Sequence, residues 1–412
     1  MTADLPPGWF WTTLGEIADW SSGGTPRRTE ESYYGGDIPW AVIGDLNDEV
    51  VTQCKGSITH EGLSNSSCKI VRPGTILIAM YGSIGKLGIA GMPMATNQAI
   101  ASAVPRISSQ YLFYFLLAQR SQLAEAGKGA TQRNISQTIL KAWPIPVAPP
   151  VEQDRIVAVI EEHISRLDAT ETALLTAQQK ADALLKAVVG QECRGSWATV
   201  PLAEIITSLR NGVFVSRPAA EPPGRPIYRI SAVRPLRLRI EDIRYALPEP
   251  KRADEYAVNS GDVLFTRYSG NPSYVGAAAV VPDAGSGVLH PDKLIRVVVD
   301  RAQILPEWLA AYISVGEGRR QVEMRLKTTA GQVGISGSQL KSVPVAIPPV
   351  GYQRSAVARI VGVMADQQRI EQQLTTLRAK LSVLRRSILA CAFAGQQLPQ
   401  DLDDEMAEVI VG

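Results

Sequence analysis

The stretch "APPVEQDRI" (148–156) follows a proline-studded "AWPIPV" (142–147) and reads as a stop placed just ahead of a helix. Nearly the same text, "IPPVGYQRSA" (347–356), returns 200 residues later. With the chain shifted by 200 residues, Gln132 falls on Gln332, Ile135-Ser136 on Ile335-Ser336, Leu140-Lys141 on Leu340-Lys341, Pro144 on Pro344, Pro149 on Pro349 and Gln153 on Gln353. Upstream the register slips by about a dozen residues, yet "GWFWTTLGEI" (8–17) still matches "SWATVPLAEI" (196–205), with Trp9 on Trp197 and Glu16 on Glu204. Likewise "PGTILIAMYG" (73–82) matches "SGDVLFTRYS" (260–269), with Gly74 on Gly261 and Tyr81 on Tyr268. The chain therefore reads as a tandem duplication of a globular part followed by a second part.

That second part is a helix. Pro149 and Pro349 mark the two starts, because proline is tolerated ahead of a helix but not inside one. Beyond Pro149, apolar residues recur at spacings of three and four through Ile160, His163, Leu167, Thr170, Leu174, Ala177, Ala181, Leu184 and Val188. The matching positions in the second copy are Ile360, Val363, Gln367, Ile370, Leu374, Leu377, Leu381, Leu384 and Ile388. Each series is a heptad seam on a helix of about 40 residues, some 60 Å long at ~1.5 Å per residue. A narrow apolar stripe on a long helix needs a partner. Residues 150–190 carry four basic and seven acidic side chains, and residues 350–394 seven and two, so opposite charge favours pairing these two helices. Connectivity makes the pair antiparallel. The polar seam residues His163, Thr170 and Gln367 are register setters, and His163 carries no catalytic role.

Composition bounds the rest. A chain of 412 residues is too long for one ordinary core. There is no leader pattern and no apolar run of about 18 residues, so the expectation is a soluble, cytoplasmic protein with no membrane partner. Cys54, Cys68, Cys193 and Cys391 lack the spacing of a zinc site or a disulfide framework, and His60, His163 and His290 are far apart in sequence. No metal or cofactor is expected on this chain. The net charge is only +2, but residues 195–349 hold 19 basic against 14 acidic side chains, whereas residues 1–149 balance at 11 each. Residues 395–412 hold five acids and no base.

Catalytic motifs fail one by one. "YGSIGKLG" (81–88) suggests a phosphate loop, but Met80 and Leu87 stand where glycine and a hydroxyl residue are required. "NPSY" (271–274) approaches the Asn-Pro-Pro-aromatic tetrapeptide of amino-methyltransferases, but Ser273 replaces a proline and no glycine-rich cofactor loop precedes it. No nucleophile elbow or paired-histidine zinc motif is present.

A duplicated globule with paired helices suits two half-sites on a duplex. At this point the chain resembles the specificity subunits of type I restriction-modification systems. The resemblance rests on "SGGTP" (22–26), "YGSIGK" (81–86), "TNQAI" (96–100) and "GATQRNIS" (129–136) leading into "PPVEQDRI", in the family's order. The second half keeps "SGDVLFTR" (260–267) but has Tyr352 in place of a glutamate and no "GSIGK".

The resemblance implies α/β (α+β) target recognition domains at 1–148 and 193–348. It implies conserved helices at 149–192 and 349–394 that pair as an antiparallel coiled coil, and it leaves 395–412 as an acidic tail. It further implies a non-catalytic subunit that reads a two-part target on double-stranded DNA in defence against foreign DNA. Two modification (methyltransferase) subunits would bring S-adenosylmethionine and methylate adenine, and restriction subunits would bring ATP, Mg and translocation. A non-DNA scaffold whose globules bind proteins is the alternative.

Bases are read by Arg, Lys, Asn and Gln, and phosphates by basic side chains, hydroxyls and glycine-loop N–H groups. The loops rich in these types are "GGTPRR" (Thr25, Arg27, Arg28), "YGSIGK" (Tyr81, Ser83, Lys86) and "GKGATQRN" (Lys128, Thr131, Gln132, Arg133, Asn134). Their glycines would let the backbone approach a phosphate closely. In the second domain the candidates are "FTRYSGNPSY" (Arg267, Tyr268, Asn271, Tyr274), Lys327 and Gln332 by repeat position, and Arg217 and Lys293. For each loop the plain alternative is a solvated turn. "RPLRLRIEDIR" (234–244) alternates like an edge strand, and Trp11, Trp20, Trp40 and Trp143 are read as core.

Overall fold

The computed structural model describes residues 5–127, 134–247, 249–329 and 332–394. They divide into two units, one built from residues up to Leu174 together with those from Thr375 onward, the other from Leu175–Leu374.

The first unit runs β1 (Phe10–Thr13), β2 (Ala18–Ser22), β3 (Ile76–Ala79), β4 (Leu87–Ala90), β5 (Ile100–Pro105), α1 (Ser109–Ala118), α2 (Arg120–Ala126), β6 (Pro144–Val147) and the start of α3 (Pro150–Glu192). Four strands lie in the order β2-β5-β3-β4, each antiparallel to its neighbour, with Val50–Val51 parallel to β4 at the edge. β3 is buried along its whole length, as an unbroken apolar run requires. Helix α1 packs on β3 and β4 through a face that buries Tyr111, Leu112, Phe115 and Leu116. The Ser108 hydroxyl caps it by accepting the Tyr111 N–H. The ends of the unit meet where β1 pairs with β6, Trp11 opposite Pro146. A two-stranded ribbon is a setting in which prolines without an N–H are tolerated.

The second unit runs β7 (Thr199–Pro201), β8 (Ile206–Asn211), β9 (Val263–Thr266), β10 (Ala278–Val280), β11 (Leu294–Val299), α4 (Pro306–Ser314), α5 (Gly318–Glu323), β12 (Pro344–Ala346) and α6 (Val350–Phe393). Its sheet order is β8-β11-β9-β10, and β7 pairs antiparallel with β12. Matching details accompany the matching order. The buried Tyr111 hydroxyl donates to the Pro146 carbonyl at 2.8 Å, and the buried Trp308 indole donates to the Ala346 carbonyl at 3.0 Å. The alternating stretch 234–244 is not one edge strand. Val233–Arg234 and Arg237–Leu238 form a hairpin whose turn carries Leu236 at φ +63°, and Ile243–Ala246 pairs instead with Arg225–Tyr228. Pro235, which presets the turn and has no N–H, interrupts the pattern.

The long helices contribute to each unit separately. In the first, Ile160 and Leu167 share a core with Leu381 and Ile388, and Arg385 forms an ion pair with Asp168. In the second, Val189 shares a core with Ala356 and Ile360, Gln367 donates to Asp182, and Arg359 grips Glu192 with two bonds of 2.7 Å. All nine seam positions read on α6 are buried or half-buried. On α3 two are not: Ala177 is exposed and Leu184 is 56% exposed, while Gln178 and Leu185 are half-buried one residue later.

Candidate nucleic-acid interface

In the first unit β2 and β3 both run antiparallel to β5, with Ser22 opposite Ala101 and Ala79 opposite Ile100. The exits of β2 and β3 and the entry of β5 therefore share one end of the sheet. Loops 23–28, 80–86 and 97–99 all leave from it. The second unit repeats this, with Asn211 opposite Ile295 and Thr266 opposite Leu294, and collects loops 212–217, 267–277 and 290–293. Candidate residues scattered along the sequence are thus gathered at one sheet end in each unit.

Loop 23–28 is rigidly held. A Cβ on Gly23 would lie 2.1 Å from the Thr96 carbonyl oxygen, and one on Gly24 would lie 2.4 Å from Ser67 Oγ. These glycines are buried, so they serve close packing rather than approach to a phosphate. Trp40 Nε1 donates to the Gly24 carbonyl at 3.1 Å and the Tyr34 hydroxyl to that of Pro26 at 2.7 Å. The Thr25 hydroxyl bonds to the Gln98 side-chain oxygen. Arg27 and Arg28 project into solvent and, among the described residues, have no carboxylate partner.

In loop 80–86, Tyr81 is 39% exposed and forms an antiparallel bridge with Asn134, bringing together two strings more than 50 residues apart. Ser83 is exposed. Lys86 turns inward, its ammonium donating to the Ile43 carbonyl at 3.3 Å, which takes it off the list of free phosphate ligands. Gly85 is buried at φ +79°. Lys128, Thr131, Gln132 and Arg133 lie outside the described residues.

The second unit builds its loop on the same backbone bonds. The Gly85 N–H donates to the Ala79 carbonyl and that of Ile135 to Met80, just as Gly276 donates to Thr266 and Ile335 to Arg267. Arg267 thus stands where Met80 does, and Tyr268 where Tyr81 does. The Arg267 guanidinium lies 4.8 Å from the Tyr268 ring centre and donates to the Asp292 carbonyl, while its backbone N–H donates to that of exposed Lys293. Arg267 Nε is buried with no hydrogen-bond partner among the described residues. The Asn271 side-chain oxygen is spent on the Ser273 N–H and hydroxyl, leaving its NH2 group outward. Tyr268–Ser269 pairs with Gln332–Gly334, which pairs with Lys327–Thr329, so Lys327 and Gln332 stand beside the Arg267 loop. Arg217 is exposed, at φ +54°, on loop 212–217.

The basic excess of this unit is partly consumed internally. Arg210 pairs with Glu255, Arg225 with Glu249 and Asp254, Arg229 with Asp242, and Arg237 with Glu371. Among the described residues Arg217, Arg267, Lys293 and Lys327 have no carboxylate partner, and all four lie on loops or the hairpin at the sheet end. Burial pushes the His290 imidazole down to about 4, and its Nδ1 bonds to the Tyr256 carbonyl, so it is a neutral packing residue there. The four cysteines are free thiols, and no group of three or more metal-ligating side chains is found among the described residues. No helix among them is long and apolar enough to cross a membrane.

Two aromatic side chains stand differently from a core role. Trp11, 41% exposed, lines an open groove with Phe115, Trp143 and Phe393, because β1 lies in a two-stranded ribbon rather than inside the sheet. Phe214, 74% exposed, sits on loop 212–217, and nothing in its sequence neighbourhood marks it. Arg234, from the misread hairpin, stacks on Tyr274 at 4.7 Å. Such a pair is a contact between distant strings, which local patterning does not reveal.

A family model described as type I restriction modification DNA specificity domain matches residues 6–177. The chain is 28% identical over 423 residues to the EcoKI specificity subunit of Escherichia coli K12, covering 96% of this chain and 90% of that one. It is 23% identical over 421 residues to the StySPI specificity subunit of Salmonella potsdam, with the same coverages of 96% and 90%. Among solved structures, a chain from work on complex assembly and conformational transition of the type I R-M system superposes with a TM-score of 0.72 at 18% identity, over 96% of this chain and 100% of that one. At that identity the likeness speaks for the fold.

Proposed function

We propose, from the premise that the chain belongs to the specificity subunits of type I restriction-modification systems, that it reads a DNA target in two parts separated by an unread gap of constant length. The observation that carries this reading is the recurrence, at one sheet end in each unit, of loops bearing exposed Arg, Ser and Asn side chains, with a tyrosine at the matching places Tyr81 and Tyr268. Residues 1–148 and 193–348 are the two recognition domains, related by duplication, and each presents its own loop set to one half-target. Thr25, Arg27, Arg28, Tyr81, Ser83 and Asn134 serve the first, joined by Lys128, Thr131, Gln132 and Arg133. Arg217, Arg267, Tyr268, Asn271, Tyr274, Lys293, Lys327 and Gln332 serve the second.

Helices 149–192 and 349–394 pair as an antiparallel coiled coil, a reading supported by the Asp168–Arg385, Asp182–Gln367 and Glu192–Arg359 contacts. The chain carries recognition, not catalysis. Two modification subunits bring S-adenosylmethionine to the target adenines, and restriction subunits bring ATP and Mg.

Affinity measured across salt tests this reading. For the full chain with its modification subunit, affinity for duplex DNA should fall by about three to five orders of magnitude between about 50 and 200 mM salt if six to ten phosphates are neutralised. A salt-independent affinity contradicts a DNA role and favours the protein scaffold.

A further inference from the structure

We infer that Arg120 and Arg319 are equivalent positioning residues, each fixing the exit of the recognition loop in its own unit and thereby the aim of the side chains that read one half-target. The inference rests on the proposed DNA reading and deepens it.

In the first unit Arg120, the first residue of α2, donates from Nε to the Gly85 carbonyl at 2.8 Å. Its other two nitrogens grip both oxygens of Asp48. Asp48 is bonded to the start of β4, its Oδ1 accepting the Leu87 N–H at 3.0 Å. The arginine thus ties the loop exit to the strand that follows it. A Cβ on Gly85 would lie 3.1 Å from Arg120 Cγ, so the loop is seated directly on the arginine stem.

The second unit repeats the device with other atoms. Arg319 donates to the Val275 carbonyl at 2.7 Å, one residue before Gly276. Gly276 occupies the place of Gly85, with φ +76° and the same backbone bond to the end of the preceding strand. Glu323 holds Arg319 from the opposite side, accepting from Nε at 2.8 Å. The two arginines occupy corresponding places, each three residues before a fully buried apolar residue, Leu123 and Val322. The loops they hold have diverged in length and content: "YGSI" (81–84) carries Tyr81 and Ser83, whereas 268–275 carries Tyr268, Asn271 and Tyr274. The grip on the exit is kept, together with the backbone bonds at the two ends of the loop and the leading tyrosine. That is expected of a part that aims a loop whatever the loop reads.

Both guanidinium groups are engaged, with side chains 34% and 15% exposed, and each is anchored by a carboxylate. A phosphate ligand would have its fork free. The two roles differ in what they predict, because loss of a phosphate contact weakens binding to all duplexes and lowers the salt slope by about one. Loss of loop positioning blurs one half-target and leaves the slope.

The test uses the full chain complexed with its modification subunits and four duplexes: the intact target, each half altered, and both altered. Arg120→Met, which keeps the stem and removes the fork, should lose about tenfold in discrimination at one half and stay within about twofold of wild type at the other; Arg319→Met should do the converse. Asp48→Asn, which leaves the arginine in place but removes its anchor charge, should shift the same half as Arg120→Met. If Arg120→Met does not fold, Asp48→Asn and Arg120→Lys carry the test at that half. Equal loss at both halves, unchanged discrimination in a variant that folds, or a reduced salt slope without loss of discrimination overturns the positioning role while the DNA reading stands. A wild-type complex that does not discriminate between the duplexes overturns the DNA reading itself, and this inference with it.

Discussion

Gln153 and Gln353, 200 residues apart in sequence, make the same bonds at the start of the two long helices. The Gln153 side-chain oxygen accepts the backbone N–H of Ser108, just ahead of α1, and that of Gln353 accepts the N–H of Leu305, just ahead of α4. Their NH2 groups donate to the carbonyls of Ala148 and Pro348, each at 2.8 Å. Both side chains are buried, at 3% and 0% exposure. A glutamine satisfies a donor and an acceptor at once, which suits it to this place at the start of both helices.

Gln153→Leu keeps the approximate volume but strands a buried N–H and a buried C=O. The expected loss is about 2–4 kcal/mol of stability. Gln153→Glu keeps the acceptor but, when ionised, puts an unpaired charge against the Ala148 carbonyl at a site 3% exposed, and should lose at least as much as Leu at neutral pH. Denaturant unfolding of the three chains checks the order.

Arg359→Ala should lower stability, because Glu192 is 8% exposed and would be left as a buried carboxylate bonded, among the described residues, to the Tyr352 hydroxyl alone. Arg359 holds the Glu192 carboxyl below its usual range. That contribution is present at neutral pH and is lost as the pH falls through the folded-state value. Glu192→Gln combined with Arg359→Ala should recover part of the loss, measured by melting at neutral pH.

His290 gives a separate pH dependence. Burial lowers its imidazole from 6.5 to about 4, so between those values the unfolded chain binds a proton that the folded chain does not. Stability present above about pH 6.5 is therefore lost as the pH falls toward 4. The melting temperature of His290→Gln should show a smaller decline than wild type across this window. Parallel curves for the two chains would assign the acid lability to other groups.

Arg267→Ala should weaken binding to one half-target by about tenfold more than binding to random duplex, if its guanidinium reads a base edge. An equal loss on both DNAs makes it a phosphate contact. Competition binding at one fixed salt concentration separates the two.

Much of this architecture was legible in the chain. Pro149 and Pro349 mark the helix starts, and all nine positions of the α6 stripe are buried or half-buried as the spacing predicts. What failed has physical causes. On α3 the heptad spacing predicts Ala177 and Leu184 inward, but both are exposed, although Ala181 and Val188 of the same stripe are half-buried. Residue type predicts Trp11 in the core, but it is 41% exposed, because exposure depends on which ribbon a strand joins. The glycines of "GGTPRR" suggest openings for phosphate, whereas contacts with Thr96 and Ser67, which no local pattern shows, make them packing residues. Arg120 and Arg319 escaped notice for the same reason: what they hold is backbone, and backbone carbonyls have no signature in sequence.

The most direct measurement is sequencing of methylated adenines in DNA exposed to the full chain co-purified with its modification subunit. The expected result is a two-part motif with a gap of constant length, and one altered half for variants confined to one domain. A contiguous motif, a gap of variable length, or methylation without any motif would contradict it.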